Sequence, residues 1–297
     1  MPYPGELSAL VTAVLWSFTS ICFAEASIRA GTLQVNITRL LLAVLFLFIT
    51  IAIMKSPLLL SSSQIVNLSL SGIIGLVFGD TYLFRAYQNI GARLSHLIMA
   101  LSPAMTVILA FIFLGEKFSL LGTIGIFVTL SGIAFVAFEK NEHPDSKYKI
   151  NKKNGIIYGL LGALGQAGGL IFAKKAFQEG DINAFVATFI RILASIIIIL
   201  PAGLIMKRYK NPLKIFTREK KAFVYTVAGS FMGPFLGITF SLIAVQYTKV
   251  GIAATIMSTS PILMLPIIRI MYKEKLSFGS IIGAFIAVAG VAILFGN

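Results

Sequence analysis

The sequence predicts an all-α integral membrane protein, with ten transmembrane helices arranged as a 5+5 inverted repeat. Three observations carry that expectation. The 297 residues are 57% hydrophobic and only 12% charged, with a mean hydropathy of +0.91, whereas soluble domains are about 45–50% apolar and about 25% charged. The apolar residues fall into runs long enough to span a hydrocarbon core of about 30 Å, which takes about 20 residues of helix. The second half of the chain also repeats the first.

This composition excludes an ordinary water-soluble enzyme, and it is far too apolar for a disordered chain. The formal charge of +14, from 25 Lys+Arg against 11 Asp+Glu, would suggest nucleic acid in a soluble protein. Here the basic residues sit mostly in loops between apolar runs, so the expected partners are anionic lipid headgroups and not nucleic acid. Cys22 is the single cysteine, so neither an intrachain disulfide nor a cysteine metal cluster is expected. No metal or cofactor is expected either. The N-terminal Met-Pro-Tyr-Pro-Gly-Glu has no basic n-region and does not read as a cleaved signal peptide.

The spans are expected at 5–26, 33–54, 64–88, 95–114 and 119–138, then at 155–177, 184–206, 222–245, 252–272 and 277–295. Each is an apolar run bounded by Gly, Pro or charge. Most joints are short. Segment 139–154 carries Lys140, Lys147, Lys149, Lys152 and Lys153 around His143-Pro144-Asp145, and it divides a first repeat, 1–138, from a second, 155–297. Segment 207–221 is basic as well.

A shift of 158 positions aligns Gly75, Gly79, Thr81, Ala86 and Gln88 with Gly233, Gly237, Thr239, Ala244 and Gln246. It continues through Met99, Ser102 and Pro103 onto Met257, Ser260 and Pro261, and through Glu116-Lys117 onto Glu274-Lys275. Over 79–134 there are 17 identities in 56 positions without a gap. A shift of 152 pairs Arg39 with Arg191, and one of 150 pairs Trp16 with Gln166. An odd number of spans per copy forces the second copy into the membrane upside down, an architecture characteristic of alternating-access transporters.

With these features in place, the chain resembles an EamA-type member of the drug/metabolite transporter superfamily over essentially its whole length. The resemblance rests on Arg39, Gly91-Ala92, Ser102-Pro103, Leu114-Gly115-Glu116-Lys117 and the Gly-spaced fifth span. In the second copy it rests on Arg191, Tyr247-Thr248, Ser260-Pro261 and Glu274-Lys275. It implies ten helices and export or exchange of small metabolites through a central cavity.

Asp80 is the one carboxylate deep inside a span. A charge there costs on the order of 2.5–3.5 kcal/mol on insertion scales, so it faces a cavity or a partner. It reads as a cation, proton or substrate-amine site, or as a structural hydrogen-bonding group. Its counterpart is Ile238, so any such site is asymmetric. Arg39 and Arg191 lie about two turns inside their spans, where a long side chain can snorkel to the headgroups. Anchoring is the preferred reading for both, with anion recognition or a gate as the alternative. Arg85 and Arg269 read as anchors, and His96 as an interfacial residue.

Trp16 and Gln166, in mid-span, suggest opposite walls of a cavity. Ser102-Pro103 and Ser260-Pro261 remove a backbone donor well inside spans four and nine, which suggests a hinge or cavity lining. The Gly-xxx-Gly series at 75–79, 165–169 and 229–237 reads as close helix packing. Glu116-Lys117 and Glu274-Lys275 are expected at the headgroups.

The expected function is a secondary transporter, not an enzyme. It has no Gly-Lys-Ser/Thr loop for ATP, and it would move a small molecule across the cell (plasma or inner) membrane by alternating access. The alternatives are an intramembrane enzyme acting on a lipid, which would need clustered catalytic groups, and a channel. Orientation is open. The loops opposite the termini carry sixteen Lys/Arg against five on the termini side, which places the termini outside, whereas the resemblance implies termini inside.

Overall fold

The computed structural model describes residues 3–99, 101–138, 152–260, 262–264, 266–267 and 278–295, and among these every regular element is helical. Helix α1 (Pro4–Ala30) ends at Gly31, whose φ of +89° suits a residue without Cβ. Helix α2 (Thr32–Met54) follows at once. Helix α3 (Ser62–Gly72) opens with a capping box: Gln64 N donates to Ser61 Oγ at 3.1 Å and Ser61 N to Gln64 Oε1 at 2.9 Å. A π-helical turn, Ile73–Gly79, leads into α4 (Asp80–Met99), and α5 (Ser102–Leu114) and α6 (Leu120–Phe138) complete the first half.

The second half repeats this order with α7 (Lys152–Gln178), α8 (Ala184–Ile205), the short α9 (Pro212–Arg218) and α10 (Lys220–Ser230). A second π-helical turn, Phe231–Gly237, joins α10 to α11 (Ile238–Tyr247), then α12 (Val250–Met257) and α13 (Phe278–Phe295) follow. The two π turns are displaced by the same 158 positions that align the sequences. Such turns are rare and frequent at functional sites.

Six stretches are long and apolar enough to cross a membrane: Pro4–Ala30, Thr32–Met54, Ser62–Tyr87, Lys153–Gln178, Ala184–Ile205 and Lys220–Tyr247. Shorter apolar helices lie at Ser102–Leu114, Leu120–Phe135, Val250–Met264 and Ile281–Phe295. The outer faces carry fully apolar side chains such as Leu120, Phe127 and Phe285, which suit lipid and not water. The chain is therefore a multi-pass membrane protein. The figure of ten spans stays an expectation of the sequence.

Packing contacts show the inversion directly. Gly5 lies against Thr248, Trp16 against Gly237, Thr19 against Gly233 and Phe23 against Gly229, so α1 runs antiparallel to α10–α11. In the same way Gly169 meets Gly75, Gly165 meets Gly79 and Gly162 meets Leu83, so α7 runs antiparallel to α3–α4. Each copy thus lends its first helix to the other copy's third span. Helices α6 and α13 also run antiparallel, through Gly132 on Ala287 and Gly290 on Thr129. The glycines do here what their spacing suggests: they let backbones approach.

One expected joint looks different. Residues 89–94, expected as a loop between spans three and four, have helical backbone within α4. The direction still reverses there. Ile90 lies against Gly155, about two turns further out than Leu83 on Gly162, yet Ile98 comes back to Gly159.

Candidate functional site

Both copies converge on one cavity of about 170 Å³. Trp16, Arg39, Asp80, Ser102, Pro103, Gln166, Arg191 and Ser260 all border it. These are the residues the sequence singles out, apart from Pro261, which lies outside the described residues. So do Arg269 and the Glu274-Lys275 pair.

The π turns place much of the lining. In the first, Leu76 borders the cavity and Asp80 follows immediately; in the second, Pro234 and Ile238 hold the equivalent places. Pro234 has no N–H, and in an α-helix its ring would crowd the carbonyl four residues back; it sits within the wider π turn. Trp16 enters from α1, where it leans on Gly237, and Gln166 from α7, where its backbone faces Gly79. The two come from symmetry-related helices.

The Ser-Pro positions coincide with helix breaks. Helix α4 is described as far as Met99, and α5 starts at Ser102 after a turn at Leu101. Helix α12 stops at Met257, and turns at Ser258 and Thr259 precede Ser260. Met99, Met257 and Ser258 border the cavity along with Ser102 and Ser260. Discontinuous spans of this kind present ungrouped backbone polar atoms to a binding cavity.

The arginines correct the sequence reading. Neither snorkels to a headgroup: Arg39 is 7% exposed and Arg191 2%. Helices α2 and α8 pack on each other, and both arginines turn inward to border the cavity. Arg39 is heavily partnered. Its Nη2 donates to Asp80 Oδ2 in a buried ion pair, and its Nε donates to Asn36 Oδ1 at 2.9 Å. Its guanidinium carbon stands 5.1 Å from the ring centres of both Phe23 and Phe84, within cation–π range. Asp80 is therefore engaged by a cation of the chain itself.

Arg191 is placed differently. A Cβ on Gly75 would stand 2.7 Å from its Nη2, so a larger residue there would make the guanidinium shift. Its Nε is buried and has no hydrogen-bond partner among the described residues. Asp80, Arg39 and Arg191 are the charged residues among the cavity's described lining, so the cavity carries an excess of one positive charge.

At one end of the bundle, three side chains hold the corner between α11 and α12. Lys174 Nζ donates to the carbonyls of Val245 and Thr248 at 2.7 and 2.8 Å, where helix ends leave acceptors free. Val250 N donates to Glu116 Oε1 at 3.0 Å, and Thr248 Oγ1 to Glu6 Oε1 at 2.7 Å. Glu116 is thus a helix cap, not the headgroup contact its position suggests. Arg85, expected as an anchor, lies over the rings of Tyr82 and Tyr158 at 5.4 and 5.9 Å.

Sequence reasoning missed the aromatic lining, Phe23, Phe84 and Tyr87. Among 24 phenylalanines in an apolar chain they carry no signal of their own. The ion pair had one available: a lone deep carboxylate needs a counter-charge, and two repeat-matched arginines were on offer.

The sequence matches the EamA-like transporter family over residues 3–138 and again over 153–296. A protein of Archaeoglobus fulgidus named an uncharacterized transporter is 22% identical over 289 residues, covering 97% of this chain and 96% of its own length. Another from Buchnera aphidicola subsp. Schlechtendalia chinensis, named an uncharacterized transporter in the trpA 3′ region, is 23% identical over 265 residues, covering 89% and 82%. A crystal structure 15% identical superposes with a TM-score of 0.75 over 99% of this chain and 96% of that one, which shows the shared fold. The chain belongs to the EamA-like transporter family, and its relatives point to membrane transport and away from catalysis.

Proposed function

We propose that this family member moves a small metabolite across the cell membrane by alternating access, as an exporter or exchanger and without ATP hydrolysis. The supporting observation is the convergence of both copies on one partly open cavity of mixed polarity. Inverted copies have a mechanical consequence. A conformation that one copy adopts toward one side is available to the other copy toward the opposite side, so exchanging the two opens the cavity alternately. The breaks at Ser102 and Ser260 serve as hinges, because a helix already interrupted bends there without losing further hydrogen bonds. The clasp of Glu6, Lys174 and Glu116 on the α11–α12 corner keeps one end shut.

The substrate binds between Trp16, Gln166 and the two Ser-Pro breaks, and it is small. A cavity of about 170 Å³ is below the roughly 300–1,000 Å³ of pockets for drug-sized ligands. Asp80 holds Arg39 against this cavity, so its carboxylate matters to turnover.

The test is counterflow. The purified chain in liposomes, preloaded with one metabolite class at a time, should exchange one class for external label without ATP. Asp80→Asn should lower that exchange. Counterflow absent for every class that raises the melting temperature would defeat the transporter reading.

A further inference from the structure

We propose that the cavity selects a small monocarboxylate with an apolar or aromatic body, and that the guanidinium of Arg191 receives its carboxylate. The inference rests on the transporter reading and names the substrate class of the same site.

The argument begins with the charge. Of the three charged side chains bordering the cavity, Arg39 and Asp80 neutralise each other in an ion pair. Arg191 lies within electrostatic reach of Asp80 but has no ion-pair partner among the described residues; it is 2% exposed, with a buried Nε that no described group accepts from. Breaking up a buried charge pair, or leaving one member alone, is costly because the remaining charge loses both water and partner. A binding protein that keeps such a charge fills it with a ligand charge of opposite sign. One excess positive charge matches one negative charge, so a monoanion restores neutrality and a dianion does not.

Shape narrows the anion. A guanidinium presents its donors in a planar fork that fits the two oxygens of a carboxylate. The guanidinium lies close against the backbone of the first π turn, where Gly75 leaves space for Nη2. Much of the rest of the wall is apolar or aromatic, with Trp16, Leu76, Phe84 and Met257 among the lining, and Gln166 and serine hydroxyls are interspersed with them. That wall suits the hydrocarbon portion of the ligand. An amine finds no free carboxylate, since Asp80 is already bonded to Arg39.

Three probes of one shape test this on the unaltered, purified full chain: 3-phenylpropionate, 3-phenylpropanamide and 3-phenylpropylamine, at one fixed chloride concentration. The carboxylate should raise the melting temperature, and the amide and amine should not. Arg191→Gln should weaken the carboxylate effect tenfold or more in concentration. An equal shift with the amide or amine would overturn the proposal, as would a carboxylate shift untouched by Arg191→Gln, or a shift produced by added chloride alone. If Arg191→Gln does not fold, the three-probe comparison on the unaltered chain decides. Failures of the two readings look different. A carboxylate that binds but shows no counterflow defeats transport and leaves the anion site standing. Counterflow of a neutral or cationic metabolite without carboxylate binding does the reverse.

Discussion

Arg39 and Arg191 occupy the same place in the two copies, and everything around them differs. Arg39 has Asn36, Asp80, Phe23 and Phe84. By the repeat, the equivalents around Arg191 are Thr188, Ile238, Ala173 and Leu242. Thr188 turns its hydroxyl to Ala184 O at 2.7 Å, and the other three have no polar side-chain atom. The backbone is symmetric down to the register of the π turns, yet among the described residues one arginine has an ion-pair partner and the other does not. In the alternating-access proposal, backbone symmetry lets the two halves exchange roles, and side-chain asymmetry gives a substrate with two different ends two different contacts.

That contrast can be broken most forcefully at Asp80. Asp80→Ala strands Arg39 as a buried unpaired charge and should destabilise the protein by about 3–5 kcal/mol, read by unfolding in detergent. Adding Arg39→Met to the same chain should recover much of the loss, since an apolar pair replaces the ionic one. No recovery would mean that Arg39 does not depend on Asp80.

A symmetric contact should respond symmetrically. Gly132→Ala would push a methyl into Ala287 and the carbonyl of Gly283, and Gly290→Ala would push one into the backbone of Thr129. These are repeat-equivalent positions facing backbone, which cannot step aside. Each substitution should cost about 1–3 kcal/mol, and the two costs should agree. A large difference in melting temperature between them would show that the α6–α13 contact is not symmetric.

Phe84→Leu should cost about 1–2 kcal/mol by removing one of the two rings facing Arg39. Its test is a double-mutant cycle with Arg39→Met, which should show coupling between the two positions. The smallest effect concerns helix starts. Ser61 caps α3, while its repeat equivalent Glu219 makes no side-chain cap on α10. Ser61→Ala should cost about 1 kcal/mol, and Glu219→Ala close to nothing, by the same unfolding measurement.

Much of this was legible in the sequence, for physical reasons. Trp16, Asp80 and Gln166 stand out because polar or amphipathic groups are costly inside apolar spans. The Ser-Pro positions stand out because proline removes a backbone donor inside an apolar span. The fold followed from run length and from the repeat. What the sequence hid was direction. Whether Arg39 points to lipid headgroups or to the interior depends on which face α2 turns to α8, and two turns of depth permit either. The partnership of Arg39 with Asp80 spans two helices and 41 positions, which no local spacing encodes. Glu116 and Lys174 look like ordinary interfacial charges until the α11–α12 corner is seen to supply them with backbone groups.

The paired π turns say something about history. A π turn holds one residue more than the α turn it replaces, so it records an insertion into a once-regular helix. Both copies carry it at the same register, Ile73–Gly79 and Phe231–Gly237, although only about a third of the neighbouring residues still agree. Two separate insertions at one register are the less economical account. A shared register is what a unit that already held the extra residue before duplication would leave behind, whereas the pairing of Arg39 with Asp80 belongs to one half alone.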